Sequence, residues 1–503
     1  MNAAGRVERV RWWAAVIAGA LLILAVVAIN GHPSVFTDTD DYYALGKELA
    51  TAVGLGPPPL DLSDFDVKQA AIDAHMGYTQ MASRSAIYSV FLYAIESAGT
   101  LWLVTLVQAL AVSWLVMITW RVALPRVRRR TAVVMIGILA LVSPLPFFAG
   151  FAMPDIFAGV ALLAAALLLI YPNQLSRREY LAISATLTFA LAVHTSHVLF
   201  MVPLIAAGGL ALAWLGIDRR SAARRLGGVG LAVIVALAAN SVYGVAIRLR
   251  TGDQLRNQPF LTSRLLADGP GRAYLRHACA DGQPYVLCAF KNKPLNDSED
   301  ILWSDLPGTG VFMLSNYATR VRIEEEEARF VLSTLMYAPG AQLIASLRNW
   351  GRQLALIQVD DPIRDPVFYL TDPYWKATNL PQVIARIEDC GKRGTACPSR
   401  LTVPVSRWWH GGMLVISTLI VLTGAVRLRR RESINAPDDR HLLALIAIIA
   451  AGILLNAAVC GILSGPFARY QSRIIWLAPM LAMLVVVRRR AGTAIEGKTD
   501  IGA

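Results

Sequence analysis

Three carboxylates stand within four positions of this sequence, at Asp38, Asp40 and Asp41, and Tyr42 and Tyr43 follow them directly. An ionised carboxylate can take the proton from an attacking hydroxyl group, so each aspartate is a candidate general base. Any one of them could instead lie in a solvated turn that caps the next helix. Three together weaken that alternative, because like charges this close repel and raise one another's pKa.

Arginines, histidines and a further aspartate occur at four other places along the chain. They are Arg84, Asp155, the pair His194 and His197, and the pair Arg469 and Arg473. Guanidinium groups make charge-assisted hydrogen bonds to phosphate, so the arginines are candidate phosphate ligands. Structural alternatives exist for all of them. The arginines can anchor helices at a membrane interface, the aspartate can stabilise a first helical turn, and the histidines can be packing residues rather than metal ligands.

The chain that must position these residues is strongly apolar. Of its 503 residues, 55% are hydrophobic and 17% charged, and its mean hydropathy is +0.48. This composition excludes a set of ordinary soluble domains and predicts a polytopic membrane protein, since a bilayer can solvate so many apolar side chains. Ten apolar runs are candidate transmembrane helices: Trp13–Asn30, Leu101–Val122, Thr131–Phe148, Pro154–Tyr171, Tyr180–Val193, His197–Ile217, Leu226–Leu249, Trp409–Val426, His441–Leu463 and Tyr470–Val487.

The net charge of +13 is unevenly distributed over the connections between these runs. One alternate set of connections holds 23 basic and 8 acidic residues, whereas the 31–83 loop on the other side holds 2 and 8, and the 251–408 segment holds 18 and 17. Because basic residues concentrate in cytoplasmic connections, both termini are expected in the cytoplasm and both large loops in the periplasm of a bacterial inner membrane. The basic excess is therefore a topology signal, and no nucleic-acid partner is expected.

Four of the five cysteines lie in the outward 251–408 segment, where an oxidising compartment permits disulfides. We expect the local pairs Cys279–Cys288 and Cys390–Cys397, although other pairings are possible. A four-cysteine zinc site is a weaker alternative, since the spacings do not suit tetrahedral ligation, and no metal site is predicted. The fifth cysteine, Cys460, lies in an apolar run and is expected to serve packing.

Acids and arginines at one membrane face suit the transfer of a sugar from a polyprenyl-phosphate donor. The lipid tail of such a donor lies in the bilayer while its phosphate sits at the interface. Arg84, Arg469 or Arg473 could stabilise the charge that builds on the departing phosphate, and a loop aspartate could deprotonate the acceptor. Tyr43, Asp155, His194 and His197 are then candidate substrate-binding residues.

Several short motifs resemble the GT-C fold of lipid-phosphate-dependent glycosyltransferases. They are Asp40-Asp41-Tyr42-Tyr43 after the first helix, Arg84-Ser85-Ala86-Ile87-Tyr88 before the second, the turn Met153-Pro154-Asp155-Ile156, the break His194-Thr195-Ser196-His197 and a late, large outward loop. The resemblance covers about the first 200 residues and, more loosely, the last two helices. It implies that the acid of the first outward loop is the catalytic base, with Asp40 as first choice and Asp38 and Asp41 as alternates.

The expected architecture is an all-α, GT-C-like membrane protein with an α-rich periplasmic domain. It divides into a transmembrane module (1–250) with a catalytic loop (31–83), a disulfide-containing periplasmic domain (251–408), and a transmembrane module with a cytoplasmic tail (409–503). Helices are expected around Arg322–Tyr337 and Ala341–Ile357. The second is amphipathic and would rest on the membrane or on the transmembrane body. The acidic run Glu324–Glu327 lies within the first of these helices and is expected to be a solvated helix face.

The expected activity is an inverting glycosyl transfer to a glycan or lipid acceptor of the cell envelope, with the lipid-phosphate sugar as donor. No cofactor is implied with certainty, and a divalent cation is possible. Two other functions stay open. A polysaccharide polymerase or ligase would need the arginines but not the loop aspartates. A transporter or flippase for a lipid-linked glycan would need polar residues at mid-membrane depth, where the sequence offers few besides Asn240 and Asn456.

Overall fold

The computed structural model describes residues 3–56, 84–251, 255–304, 306–360, 403–430 and 437–499, and within these ranges the regular structure is helical, with no β-strand. The first half contains α1 (Ala3–Ile23), α2 (Ala25–Asn30), α3 (Thr37–Ala52), α4 (Ala86–Ala98), α5 (Leu101–Ala123), α6 (Arg129–Val142), α7 (Leu145–Ala149), α8 (Phe157–Ile170), α9 (Arg177–Ala192), α10 (Thr195–Trp214) and α11 (Arg219–Thr251). The second half contains α12 (Phe260–Asp268), α13 (Pro270–Ala280), α14 (Ser298–Trp303), α15 (Tyr317–Tyr337), α16 (Pro339–Ala355), α17 (Val403–Arg430), α18 (Pro437–Val459), α19 (Ala468–Ser472) and α20 (Leu477–Thr499).

Six helical segments within the described ranges are long and apolar enough to cross a membrane. They are Leu101–Ala123, Thr195–Trp214, Arg219–Leu249, Arg407–Arg429, Asp438–Ser464 and Ala468–Arg490. All six coincide with runs predicted from the sequence, so the expectation of a helical membrane protein is met at this level.

The other four predicted spans are helical but short, broken or charged. The first is interrupted at Leu24, and the third at Ser143 and Pro144. The fifth corresponds to α9, which has 16 residues and begins with charged side chains. The fourth shortens to the 14 residues of α8 because Pro154 starts a 3₁₀ turn, and every residue of α8 is buried. Since neighbouring helices surround α8 on all sides, protein rather than lipid solvates it.

A β-bridge fixes the chain where α2 ends. The Ser34 N–H donates to the Gly150 carbonyl at 2.9 Å, and the Ala152 N–H donates to the Ser34 carbonyl at 2.9 Å. The buried amide of Gln108 on α5 supports the same turn, donating to the carbonyls of Ala149 at 3.0 Å and Phe151 at 2.8 Å. The start of α3 is thereby held beside the turn that carries Asp155.

The chain between α11 and α17 forms a second, smaller hydrophobic core, enclosed by α12 to α15. This core includes Leu266, Tyr274, Phe312 and Phe330. The predicted Cys279–Cys288 disulfide is present there. The second predicted pair, Cys390–Cys397, lies outside the described residues.

The prediction that Glu324–Glu327 forms a solvated face holds for Glu325, which is 56% exposed, but not for the other three, which are partly buried. Glu324 and Glu325 pair with Arg256, each at 3.1 Å. Glu326 accepts from the Val286 N–H at 2.9 Å, and Glu327 accepts from the Thr262 N–H at 3.0 Å. Four consecutive acids point all round a helix, and in this domain each direction meets a donor.

Candidate functional site

Five chain segments meet at one end of the helical bundle and bring charged residues together. They are the first turns of α3, the segment before α4, the 3₁₀ turn before α8, the break between α9 and α10, and α19 with the residue that follows it. The helices α8, α10 and α20 all begin at or just beyond this meeting point. The amino ends of helices carry partial positive charge, so this end of the bundle favours an anion.

Arg84 holds two carboxylates of the first loop. Its Nη2 atom lies 2.5 Å from Asp38 Oδ1 and 2.9 Å from Asp41 Oδ2. The two aspartates are three residues apart on α3 and therefore share a face of that helix. Between 15% and 21% of each of these three side chains is accessible. The pairs therefore form an accessible edge rather than a sealed core.

Arg469 connects that edge to the interior. Its Nη2 atom lies 3.4 Å from Asp38 Oδ2, and its Nε atom lies 3.7 Å from Asp155 Oδ1. The guanidinium also lies over the ring of Phe36, 4.7 Å from its centroid. Both oxygens of Asp38 thus face an arginine, and the two arginines come from segments 385 positions apart (469 minus 84).

Arg473 is the buried anchor of the site, with no accessible side-chain surface. It lies 3.3 Å from Asp155 Oδ1, and it donates to Ser196 Oγ at 2.9 Å and to Asn456 Oδ1 at 3.3 Å. The Nη2 atom of Arg473 makes both of these hydrogen bonds and also lies 3.5 Å from Cys460 Sγ. Cys460 was expected to serve packing alone, and its sulfur in fact belongs to this polar network.

The two histidines stack on each other at the break before α10, with ring centroids 5.2 Å apart. The Ser196 N–H donates to His194 Nδ1 at 3.2 Å, which places the His194 proton on Nε2. His194 lies near enough to Arg84, Arg469 and Arg473 to interact electrostatically with each. His197 is fully buried and its Nδ1–H donates to the Ala190 carbonyl at 2.6 Å, so it supports His194 from behind.

Asp40 occupies another side of α3. Two residues after Asp38, its side chain is turned by about 200° around the helix axis. It is 3% exposed, against 19% and 21% for the side chains of Asp38 and Asp41. Tyr43 is likewise buried, and its ring packs on Tyr93 with centroids 5.4 Å apart. The structure therefore gathers the cluster Asp38, Asp41, Arg84, Asp155, His194, Arg469 and Arg473, with Asp40 and Tyr43 behind it.

Comparison with protein-family models, curated protein sequences and solved structures finds no match to this chain.

The two accessible carboxylates differ in how many of their oxygens face an arginine. Loss of hydration among the surrounding protein atoms raises the pKa of Asp41 to about 6, although Arg84 acts in the opposite direction, and the nearby Asp38 carboxylate raises the pKa further. One oxygen of Asp41 contacts Arg84, whereas both oxygens of Asp38 are engaged. Asp41 thus has a pKa raised towards neutrality, and only one of its carboxylate oxygens contacts Arg84.

The smaller domain reaches the same cluster. Loss of hydration beside the protein surface and the carboxylates of Asp297 and Asp38 raise the pKa of Glu299, at the start of α14, to about 7, whereas Arg469 lowers it. Among the residues that the structure describes, no group of three or more His, Cys, Asp or Glu side chains is arranged to hold a metal ion.

Sequence reasoning gave no role in this site to the residues that hold Arg473, the histidine break and the turn before Arg469. Asn456 donates to the Tyr470 carbonyl at 2.7 Å as well as accepting from Arg473, and Asn240 donates to the Ala192 carbonyl at 3.0 Å beside the histidine break. Gln353 on α16 holds the backbone of Phe467 from both sides, donating to its carbonyl at 2.7 Å and accepting from its N–H at 3.0 Å. A polar residue alone in an apolar run was the available signal for the two asparagines. Nothing in the sequence pointed from Gln353 to Phe467.

Replacing Gln353 with alanine is expected to lower the free energy of unfolding by about 1–3 kcal/mol, because both backbone groups of Phe467 lose their partner. Chemical denaturation in detergent micelles measures this change. The matched control is Gln174→Ala, at an exposed turn, which should stay within about 0.5 kcal/mol of the parent chain. Equal effects of the two substitutions would show that the Gln353 contacts contribute nothing specific.

Proposed function

We propose that this chain is an integral-membrane glycosyltransferase that moves a sugar from a polyprenyl-phosphate donor to a glycan or lipid acceptor of the cell envelope. The observation that carries the proposal is the cluster in which Arg84 and Arg469 share Asp38 at one end of apolar helices. The proposal includes the ten-span, GT-C-like topology and the bacterial inner membrane, with the cluster on the periplasmic side.

Arg84 and Arg469 are the proposed ligands of the donor phosphate. They are the partly accessible arginines of the cluster, with 15% and 11% of their side-chain surfaces exposed. When a phosphate arrives, its oxygens can take donors that now face Asp38. The amino ends of α8, α10 and α20 add partial positive charge. This environment favours phosphate as a leaving group, because negative charge grows on it as the bond to the sugar breaks.

Asp41 is the proposed general base. An acceptor hydroxyl attacks the anomeric carbon of the sugar and gives its proton to the carboxylate of Asp41. The new bond from oxygen to carbon forms as the bond from carbon to phosphate oxygen breaks, and its electron pair leaves with the polyprenyl phosphate. A single displacement of this kind inverts the anomeric configuration. Asp38 acts as the positioning residue that keeps the two arginines apart and oriented. The GT-C resemblance implies Asp40 as the base. Because Asp40 is only 3% exposed, Asp41 is the better candidate.

In this proposal Arg473 and Asp155 support the substrate-binding residues and do not contact the substrate themselves. Neither is accessible enough to contact a donor in the present arrangement, since their side chains are 0% and 2% exposed. Arg473, which pairs with Asp155, holds Ser196 and thereby the ring of His194, whose Nε2–H is a neutral donor for a sugar hydroxyl or a phosphate oxygen.

The direct test is turnover by the purified full chain in liposomes, supplied with a panel of polyprenyl-phosphate sugars. The expected result is release of polyprenyl phosphate with at least one donor, and its loss in Arg469→Gln. Parallel reactions with and without EDTA test the divalent cation. If no donor is consumed while a lipid-linked glycan crosses the bilayer, the protein is a transporter. If a lipid-linked glycan is extended or ligated without the loop aspartates, the polymerase or ligase alternative is correct.

The pH dependence of turnover should report Asp41. A general base must be ionised, so kcat/KM should fall about tenfold per pH unit below pH 6 and level off above it. Asp38→Asn removes a neighbouring negative charge that raises the pKa of Asp41, so the ascending limb should move to lower pH in that variant. Glu299 also titrates close to neutrality, and Glu299→Gln serves as the control that should leave the limb in place. If the rise of kcat/KM with pH disappears in Glu299→Gln, the titrating group is Glu299 and not Asp41.

A further inference from the structure

The bend between α15 and α16 presents an apolar edge that no described part of the protein covers. The two helices meet at 104°. Leu332 and Met336 near the end of α15 are 61% and 77% exposed, and Leu343, Ile344 and Leu347 on α16 are 60%, 68% and 52% exposed. Large contiguous apolar surfaces of this kind mark interaction sites rather than ordinary solvent-facing protein.

The side of α16 that faces the protein is polar, the reverse of an ordinary amphipathic helix. Its buried residues include Gln342, Asn349 and Gln353. Gln342 and Asn349 donate to the carboxylate of Asp268 at 2.9 Å and 2.8 Å. The protein therefore binds this helix through hydrogen bonds and leaves its leucine edge outward. Such an inversion is stable where the surroundings are apolar.

The depth of α16 relative to the membrane can be judged from one contact. Trp350 Nε1–H donates to the carbonyl of Leu454 at 3.1 Å. Leu454 lies inside the candidate span Asp438–Ser464, ten residues before its end, which is about 15 Å along a helix. The Leu454 side chain is itself 45% exposed, on the outward surface of that span. The leucine edge of α16 is thus continuous with a surface that faces lipid.

The third side of α16 carries Arg348 and Arg352, both exposed. On a helical projection they lie between the leucine edge and the buried polar edge. An apolar edge flanked by arginines is the pattern of a helix at a membrane interface, with its basic residues directed to anionic lipid phosphates.

We propose that the bend between α15 and α16 is a re-entrant element seated in the lipid leaflet on the side of the charged cluster. Its leucine edge contacts acyl chains, and Arg348 and Arg352 contact phospholipid headgroups. The element does not span, because the sharp bend returns the chain and its polar edge stays bound to protein. This inference does not depend on glycosyl transfer. Through the Gln353–Phe467 bonds the membrane-seated helix also supports the turn that carries Arg469.

The test is a nitroxide label on the full chain in liposomes that contain anionic phospholipid, placed by Ile344→Cys or Leu347→Cys, with Arg322→Cys as the control at an exposed position in the polar half of α15. The parent chain gives the labelling background of its native cysteines. At 344 and 347, collisions with oxygen should exceed collisions with a water-soluble nickel chelate, and the order should reverse at 322. Variants are compared only where their thermal midpoints match the parent.

Two results would overturn the proposal. Preferential access of the nickel chelate at 344 and 347 would mean that the edge faces water. Low access of both reagents would mean that protein covers the edge, either a second copy of the chain or a segment outside the described residues.

Discussion

Asp41→Asn should reduce kcat for sugar transfer by about 10²- to 10⁴-fold while the chain remains folded, because the amide cannot accept the proton of the acceptor hydroxyl. The substitution preserves the shape of the side chain and one contact with Arg84, so donor binding should change far less than kcat. Single-turnover measurements with saturating donor separate the two effects. Donor hydrolysis by water should fall in parallel if the same carboxylate activates water.

The matched variants are Asp40→Asn and Asp38→Asn. Asp40 is buried on another side of α3, so its substitution should leave transfer within a fewfold of the parent. Asp38→Asn should weaken donor binding, because both arginines lose the carboxylate that orients them. A loss of kcat confined to Asp40→Asn would instead support the choice of base that the GT-C resemblance implies, and would require α3 to rotate when substrate binds.

Arg473→Met should lower the free energy of unfolding by about 3–5 kcal/mol, because it leaves the buried carboxylate of Asp155 without its innermost partner. Ser196 and Asn456 lose a donor in the same step. Denaturation in detergent micelles measures the change. The exposed Arg322→Met is the control and should lie within about 0.5 kcal/mol of the parent chain.

The double variant Arg473→Met with Asp155→Leu distinguishes a buried pair from simple loss of packing. Removing both charges avoids the unpaired carboxylate, so the double variant should be more stable than Arg473→Met alone. Additive destabilisation would show that the two residues do not act as a pair. Activity should remain low in either case, since the ring of His194 loses its support.

Local features of the sequence predicted much of the fold. The six helices of the described ranges that are long enough to cross a membrane were found from apolar length, because burial in lipid demands an uninterrupted apolar run. The Cys279–Cys288 pair followed from short separation in a segment that the charge distribution predicts to face outward. The helix Phe157–Ile170 shows the limit of this reasoning. An apolar sequence does not distinguish a helix surrounded by lipid from one surrounded by protein.

Within the candidate site, the sequence identified residue types but not their pairings. Asp38, Arg84, Asp155, Arg469 and Arg473 were all candidates before their contacts were known, because charges are expensive at a membrane and stand out against apolar runs. Only the tertiary structure shows that Asp38 pairs with both Arg84 and Arg469. It also shows that Arg469 and Arg473 share Asp155. The priority among the three loop aspartates also changed with their placement on α3.

The sequence by itself determined that this is an apolar, helical chain with its unusual charges gathered near helix ends, since composition and hydrophobic length depend on each segment alone. Only the tertiary structure decided which charges meet, which carboxylate is accessible, and that the polar edge of Pro339–Ala355 faces inward while its leucines face out. The physical reason is that a charge is stabilised by its partner, and helices far apart in the chain supply that partner.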